Sequence, residues 1–212
     1  MILANENLDA PLVVLLHGYG ADERDLAGLI PYLPQEFRYA SLRAPEPVPG
    51  MGGFQWFPLR IVPSPSGGEV DSSDEAARVV DAGATRAAEG VWQAIDGLEA
   101  SKVAFVGFSQ GAITGMQAWR LRPAGFACGV LLSGYVAQGP MPLDAELAEL
   151  RPPVFWGRGL LDAVIPARAI EATGPWLEQH TEHVEFVEPQ AGHELTLAEL
   201  QAVGEFLREH LA

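Results

Sequence analysis

The sequence predicts an α/β domain, a mostly parallel sheet with helices on both faces. Three observations carry this. Continuous apolar runs of strand length recur at 12–16, from Val103, at 128–132 and at 154–156, the pattern of strands buried on both faces. Segments with helical apolar spacing lie between them. Each run ends in a turn that carries glycine: His17-Gly18-Tyr19-Gly20, Gly107-Phe108-Ser109-Gln110-Gly111, Ser133-Gly134 and Gly157-Arg158-Gly159. The 212 residues, 48% hydrophobic and 19% charged, make a single domain over 1–212 with a sizeable core.

Leu12–Leu16 opens the buried strands, with room for one short strand before it. Asp22 can cap a helix that carries Leu26, Leu29, Ile30 and Leu33. Phe37–Leu42 reads as a second strand, closed by Ala44-Pro45. Residues 45–70 are punctuated by Pro, Gly and Ser but hold Met51, Phe54, Trp56, Phe57, Leu59, Ile61 and Val62. So aromatic a stretch reads as an ordered loop beside a site, with room for short strands. Asp71-Ser72-Ser73-Asp74 offers helix caps, and helical spacing runs from Ala76 to Leu98, with Gly83 and Gly90 weakening it as one unbroken helix. A strand at 128–132, a proline-bearing connection over 137–151 and a strand at 154–156 follow. A helix over about 167–179, a strand at 184–187 and a last helix over about 196–211 complete the chain.

The stretch from Val103 to Trp119 reads as strand, sharp turn and helix, with Ser109 at the tip. A nucleophile on so tight a turn is held in a strained conformation, and side chains in place of Gly107 and Gly111 would collide with their surroundings. The pentapeptide alone is a weak signal, so the rest of the chain must decide. In an open parallel sheet, functional groups collect beyond the carboxyl ends of the strands. His17 follows the first strand, Ser109 the middle one, Asp162 the strand at 154–156, and His193 the last. The order Ser, Asp, His is one of the known serine-hydrolase arrangements. In that chemistry His193 takes the proton from Ser109, and Asp162 fixes the imidazole. The amides of Tyr19 and Gln110 are candidates for the oxyanion hole.

Other residues compete for these roles. His17 is a rival base, but it lies in the turn assigned to the oxyanion hole and reads as structural. His180, His183 and His210 lie among polar residues and read as solvated surface. Asp144 and Glu171 compete with Asp162, the first in a connection and the second on a helix. Cys128, the one cysteine, reads as a small core residue and allows no disulfide within the chain. Cysteine and histidine show no zinc-like spacing, and no phosphate-binding glycine motif is present, so neither metal nor cofactor is expected.

These motifs, in order, resemble the carboxylesterase, lysophospholipase and acyl-protein thioesterase family of the α/β-hydrolase fold. The matching pieces are Leu16-His17-Gly18-Tyr19-Gly20, Gly107-Phe108-Ser109-Gln110-Gly111, Leu132-Ser133-Gly134-Tyr135, Asp162-Ala163-Val164-Ile165-Pro166 and Gly192-His193-Glu194. The resemblance implies Ser109, Asp162 and His193 as a triad and Tyr19 and Gln110 as oxyanion donors. It also implies metal-free hydrolysis of carboxylic esters or thioesters through an acyl-enzyme, on a compact fold without a large cap domain. Tyr19 stands where the family usually has Leu or Phe, and Arg158 where members often carry His.

The reading is a serine esterase for small to medium acyl esters, with Phe54, Trp56, Phe57, Leu59 and parts of 135–143 lining the acyl site. The alternatives are a lysophospholipase or acyl-protein thioesterase for long chains, and a hydrolase-shaped binding protein without turnover. A net charge of −15 repels phosphate backbones and anionic lipid, so the expected partner is a small ester rather than nucleic acid. With no apolar run of spanning length and no basic, apolar leader, membrane insertion is not expected. The expected setting is cytoplasmic, as monomer or homodimer.

Overall fold

The computed structural model describes residues 1–5, 7–63, 69–71 and 73–212. Ser72, one of the candidate caps, and residues 64–68 of the 45–70 segment lie outside the described residues.

A seven-stranded sheet is built from β1 (Ile2–Ala4), β2 (Leu12–Leu16), β3 (Arg38–Leu42), β8 (Val103–Phe108), β9 (Cys128–Leu132), β10 (Pro153–Gly159) and β11 (Glu182–Glu188), in the order β1-β3-β2-β8-β9-β10-β11. β1 runs antiparallel to β3 and every other neighbouring pair is parallel. The two-residue strands β4 (Glu46–Pro47), β5 (Phe54–Gln55), β6 (Ile61–Val62) and β7 (Glu69–Val70) make two small antiparallel pairs within the 45–70 segment.

The helices are α1 (Glu23–Ala27), α2 (Asp74–Asp96), α3 (Gln110–Leu121), α4 (Asp144–Leu150), α5 (Ala167–His180) and α6 (Leu197–Leu211). Alternation along β2 divides the core. Leu12, Val14 and Leu16 pack into the layer with Ala84, Ile113 and Leu177 of α2, α3 and α5. Val13 and Leu15 pack with Leu26, Val203 and Leu207 of α1 and α6.

Two local expectations need correction, and a third is sharpened. The helix begun by Asp22, whose side chain accepts from the Arg24 amide, ends at Ala27, and a separate 3₁₀ turn covers Ile30–Tyr32. α2 runs unbroken through Gly83 and Gly90. Gly83 is required there, because a Cβ would come within 2.5 Å of Phe57 Cβ, and so the helix admits the 54–57 segment. Residues 137–151 hold the short helix α4, tied to α3 by the buried Arg120. That guanidinium pairs with Asp144 through two bonds of 2.8 and 2.7 Å and donates to the Ala137 and Gly139 carbonyls.

Candidate active site

Ser109 sits between the end of β8 and the start of α3 at φ 54° and ψ −117°, a conformation unfavourable for a residue with a side chain. The surroundings impose it. Its amide donates to Leu132 O at 2.8 Å, while its carbonyl accepts from Ala112 at 3.0 Å. The flanking glycines are sterically required: a Cβ on Gly107 would lie 2.5 Å from Ala112 N, and one on Gly111 1.9 Å from Leu16 O. The turn after β2 lies alongside with more room: a Cβ on Gly18 would be 3.1 Å from the Phe108 ring and 3.5 Å from Ser109 Cβ.

His193 comes from the loop after β11. Its Nε2 lies 2.9 Å from Ser109 Oγ and its Nδ1 2.8 Å from Asp162 Oδ2. The Phe108 ring, centred 5.0 Å away, packs against the imidazole. Asp162, in the loop after β10, is fixed from its other oxygen: Oδ1 accepts from the Val164 and Ile165 amides at 2.9 and 3.1 Å. Burial pushes the Asp162 carboxyl up. The hydrogen bond and attraction from His193 and the two amides outweigh burial and hold it below the usual carboxylate range. The loop is buttressed from β7, where Val70 N donates to Val164 O at 3.1 Å.

Gln110 follows Ser109 directly, Tyr19 follows Gly18 in the neighbouring turn, and neither amide donates to another acceptor among the described residues. Gln110 also opens α3, whose N-terminus favours negative charge. Together a hydroxyl, an imidazole and a carboxylate form one hydrogen-bonded line, with two candidate donors beside the hydroxyl. Such a line can deprotonate an alcohol and stabilise an oxyanion.

The rivals fall elsewhere. His17 is fully buried, with Nδ1 donating to Gly18 O at 2.8 Å and Nε2 accepting from Ala44 N at 3.0 Å. Burial holds it below the ordinary imidazole value, against the Gly18 carbonyl and the nearby Asp25, Asp22 and Glu23 charges. Cys128 is buried and its thiol is pushed up to about 12 by that burial. His180, His183 and His210 are half-buried rather than solvated. His180 stacks on Trp176 at 4.0 Å and His210 packs on Phe206. Glu171 is exposed on α5. Arg158 pairs with Glu185 at 2.6 Å.

The aromatic segment is placed differently from its expected role. Trp56 and Phe57 are 4% and 1% exposed and belong to the core. The Gln110 side chain accepts from Trp56 N at 2.9 Å and donates to Phe57 O at 2.6 Å, while the Trp56 indole donates to His17 O at 2.8 Å. Phe54 lies under the Arg43 guanidinium, and Leu59 borders a separate small cavity with Val79 and Val80. These four side chains do not form one wall. A cavity of about 230 Å³ instead opens between α2 and α5, bordered by Val80, Asp81, Tyr135, Pro166 and Ala169. Of the expected acyl-site residues, those of the 135–143 stretch are present there, as Tyr135 and Gln138.

The model of the phospholipase/carboxylesterase family matches residues 1–211. The chain belongs to that family. A curated protein of Oryza sativa subsp. japonica named "Probable carboxylesterase" is 28% identical over 163 residues, covering 74% of this chain and 58% of that protein. The match thus spans less than two thirds of that relative. The solved structure of esterase PE8 is 28% identical, covers 96% of this chain and 94% of its own, and superposes with a TM-score of 0.74. Zea mays acyl-protein thioesterase 2, at 20% identity, covers 100% and 98% with a TM-score of 0.75, and so shares the α/β-hydrolase fold. Among the described residues of this family member, no group of His, Cys, Asp and Glu could hold a metal ion. Among those residues, too, no helix is long and apolar enough to cross a membrane.

Sequence reasoning missed the side chain of Gln110, the Arg120 cradle and Asp81. A glutamine directly after the serine carries no periodic signal, and its partners lie more than fifty positions away as backbone groups.

Proposed function

We propose that this family member is a serine esterase acting on small to medium acyl esters through an acyl-enzyme. The observation that supports it is the bridging of Ser109 Oγ and Asp162 Oδ2 by one imidazole, at 2.9 and 2.8 Å. His193 Nε2 accepts the hydroxyl proton as Ser109 Oγ attacks the ester carbonyl, and Nδ1–H stays bonded to Asp162, which stabilises the imidazolium. The Tyr19 and Gln110 amides hold the oxyanion. Nε2–H then protonates the departing alcohol, and the acyl group remains on Ser109. Water, activated by the same nitrogen, releases the acid and restores the serine. The cycle requires no metal or cofactor.

Taken as the acyl site, the cavity between α2 and α5 favours short chains over long ones. At about 230 Å³ it exceeds the ~150 Å³ known to admit benzene, but it is no groove for a palmitoyl chain. The sole cysteine, buried and unpaired, suits a cytoplasmic enzyme.

A series of p-nitrophenyl esters from acetate to palmitate tests the proposal. Hydrolysis is expected to peak at short to medium chains and to fall at least about a thousandfold in Ser109→Ala. A peak at palmitate, or at the matching thioester, would shift the assignment to a long-chain thioesterase. A folded protein that hydrolyses none of them would be a binding protein instead.

A further inference from the structure

The wall of the cavity between α2 and α5 is apolar except for Asp71, Asp81, Gln138, Arg168 and the Tyr135 hydroxyl. Two of the three charged side chains are engaged. Asp71 accepts from Ser73 N at 2.8 Å and lies 3.4 Å from Arg60, and Arg168 pairs with Asp74 at 3.0 Å. Asp81 is different. Its Oδ1 is buried and meets no donor among the described residues. Its Oδ2 lies beneath the 137–140 segment, where a Cβ on Gly139 would approach to 2.7 Å. A carboxylate oxygen desolvated without a donor is an unmet demand for one. The Asp81 charge also bears on Tyr135, whose phenol is pushed up by burial and by Asp81, so the neighbouring hydroxyl keeps its proton.

The cavity opens at the carboxyl edge of the sheet, the edge that carries Ser109. α2 begins at the carboxyl edge of the sheet and descends toward β8, so its first two turns, with Val80 and Asp81, stand at the active edge. Tyr135 follows Gly134, where a Cβ would come within 3.1 Å of Ser109 O. Pro166 follows Ile165, whose amide binds Asp162. The leaving alcohol must face His193, which protonates it. No residue of the His193 loop lines this cavity, so the acyl limb is the part of the ester that points into it.

We infer that Asp81 is a specificity-determining residue, and that the preferred substrates are esters whose acyl chain carries a cationic or hydrogen-bond-donating group at its far end. This rests on the esterase reading of Ser109. The apolar wall of Ala77, Val80, Pro166 and Ala169 takes the methylenes, and the Asp81 carboxylate takes the terminal ammonium or hydroxyl.

The test compares p-nitrophenyl 6-aminohexanoate with p-nitrophenyl heptanoate, two acyl chains of equal length. For the wild type the ratio of kcat/KM, amino over alkyl, is expected to exceed one, and Asp81→Asn is expected to lower it by about tenfold or more, the scale of a charge-assisted hydrogen bond. Ala77→Phe, which fills the cavity from a half-buried position, is expected to raise KM for both esters. Circular dichroism checks that each variant is folded. If the ratio does not move in folded Asp81→Asn, or the wild type favours the alkyl ester, the inference is overturned while the esterase reading stands. If Asp81→Asn does not fold, unchanged KM values in Ala77→Phe overturn it in the same way. If the folded wild type cleaves neither ester and Ser109 takes no fluorophosphonate label, the esterase reading fails and this inference with it.

Discussion

Two turns at the same edge of the sheet each carry a histidine, and the structure puts them to opposite uses. After β2, His17 spends both ring nitrogens on backbone, donating to Gly18 and accepting from Ala44, in a fully buried position. After β11, His193 is tied to Asp162 through one nitrogen and turns the other to Ser109. Position along the chain does not distinguish the proposed base from a brace. What distinguishes them is whether a ring nitrogen remains uncommitted to the fold.

The largest expected effect breaks the comparison directly. His193→Ala is expected to lower kcat by at least about a thousandfold with little change in melting temperature. His17→Ala, by contrast, strands a buried carbonyl and amide and is expected to cost about 2–3 kcal/mol of stability. Its turnover per intact active site should fall far less. Activity measured beside urea unfolding separates the two, and equal loss of turnover in both variants would erase the distinction.

A middle-sized effect concerns Gln110, whose amide side chain holds the Trp56–Phe57 backbone while its own backbone N–H is a candidate oxyanion donor. Gln110→Ala keeps the N–H and removes the clamp. Stability is expected to fall by about 1–3 kcal/mol, with a smaller drop in kcat than in Ser109→Ala. Urea titration and kinetics on the same sample check this. An unchanged midpoint would show that the clamp is idle.

The smallest effect is a pH slope from a third acid near this edge. Glu199, in the first turn of α6, is 2% exposed, and its Oε1 has no donor among the described residues. Burial raises its carboxyl to about 7 against the pull of the Thr196 hydrogen bond, with further lift from Glu188. The folded value lies above the unfolded one. Its contribution to stability is therefore complete below the ordinary carboxylate value of 4.5 and is lost as pH rises through about 7. Glu199→Gln is expected to be about 1–3 kcal/mol more stable than wild type above pH ~8, a gap that closes toward pH ~5. Parallel curves at all pH values would remove Glu199 as the source.

The strands were legible because apolar runs such as Leu12–Leu16 and Cys128–Leu132 are buried on both faces and stop at glycine turns. The gathering of Ser109, Asp162 and His193 was legible for the same reason: parallel strands deliver their following residues to one edge. The acyl side was not. Trp56 and Phe57 look like pocket aromatics until Gln110 and Gly83 draw them into the core. Asp81 looks like one more polar residue on a helix until α5 and the 135–140 segment close over it. Both depend on which distant segment packs against which, and a local pattern does not carry that. α4 was hidden by Pro140 and Pro142 just ahead of it, and its anchor, Arg120, reads in sequence as an ordinary helix cation.

The most direct measurement is peptide mapping by mass spectrometry after treatment with a fluorophosphonate, for the wild type and for folded His193→Ala. The expected result is a single adduct on Ser109 in the wild type and almost none in the variant. An adduct on another residue, or equal labelling of Ser109 without the imidazole, would contradict a serine activated by His193.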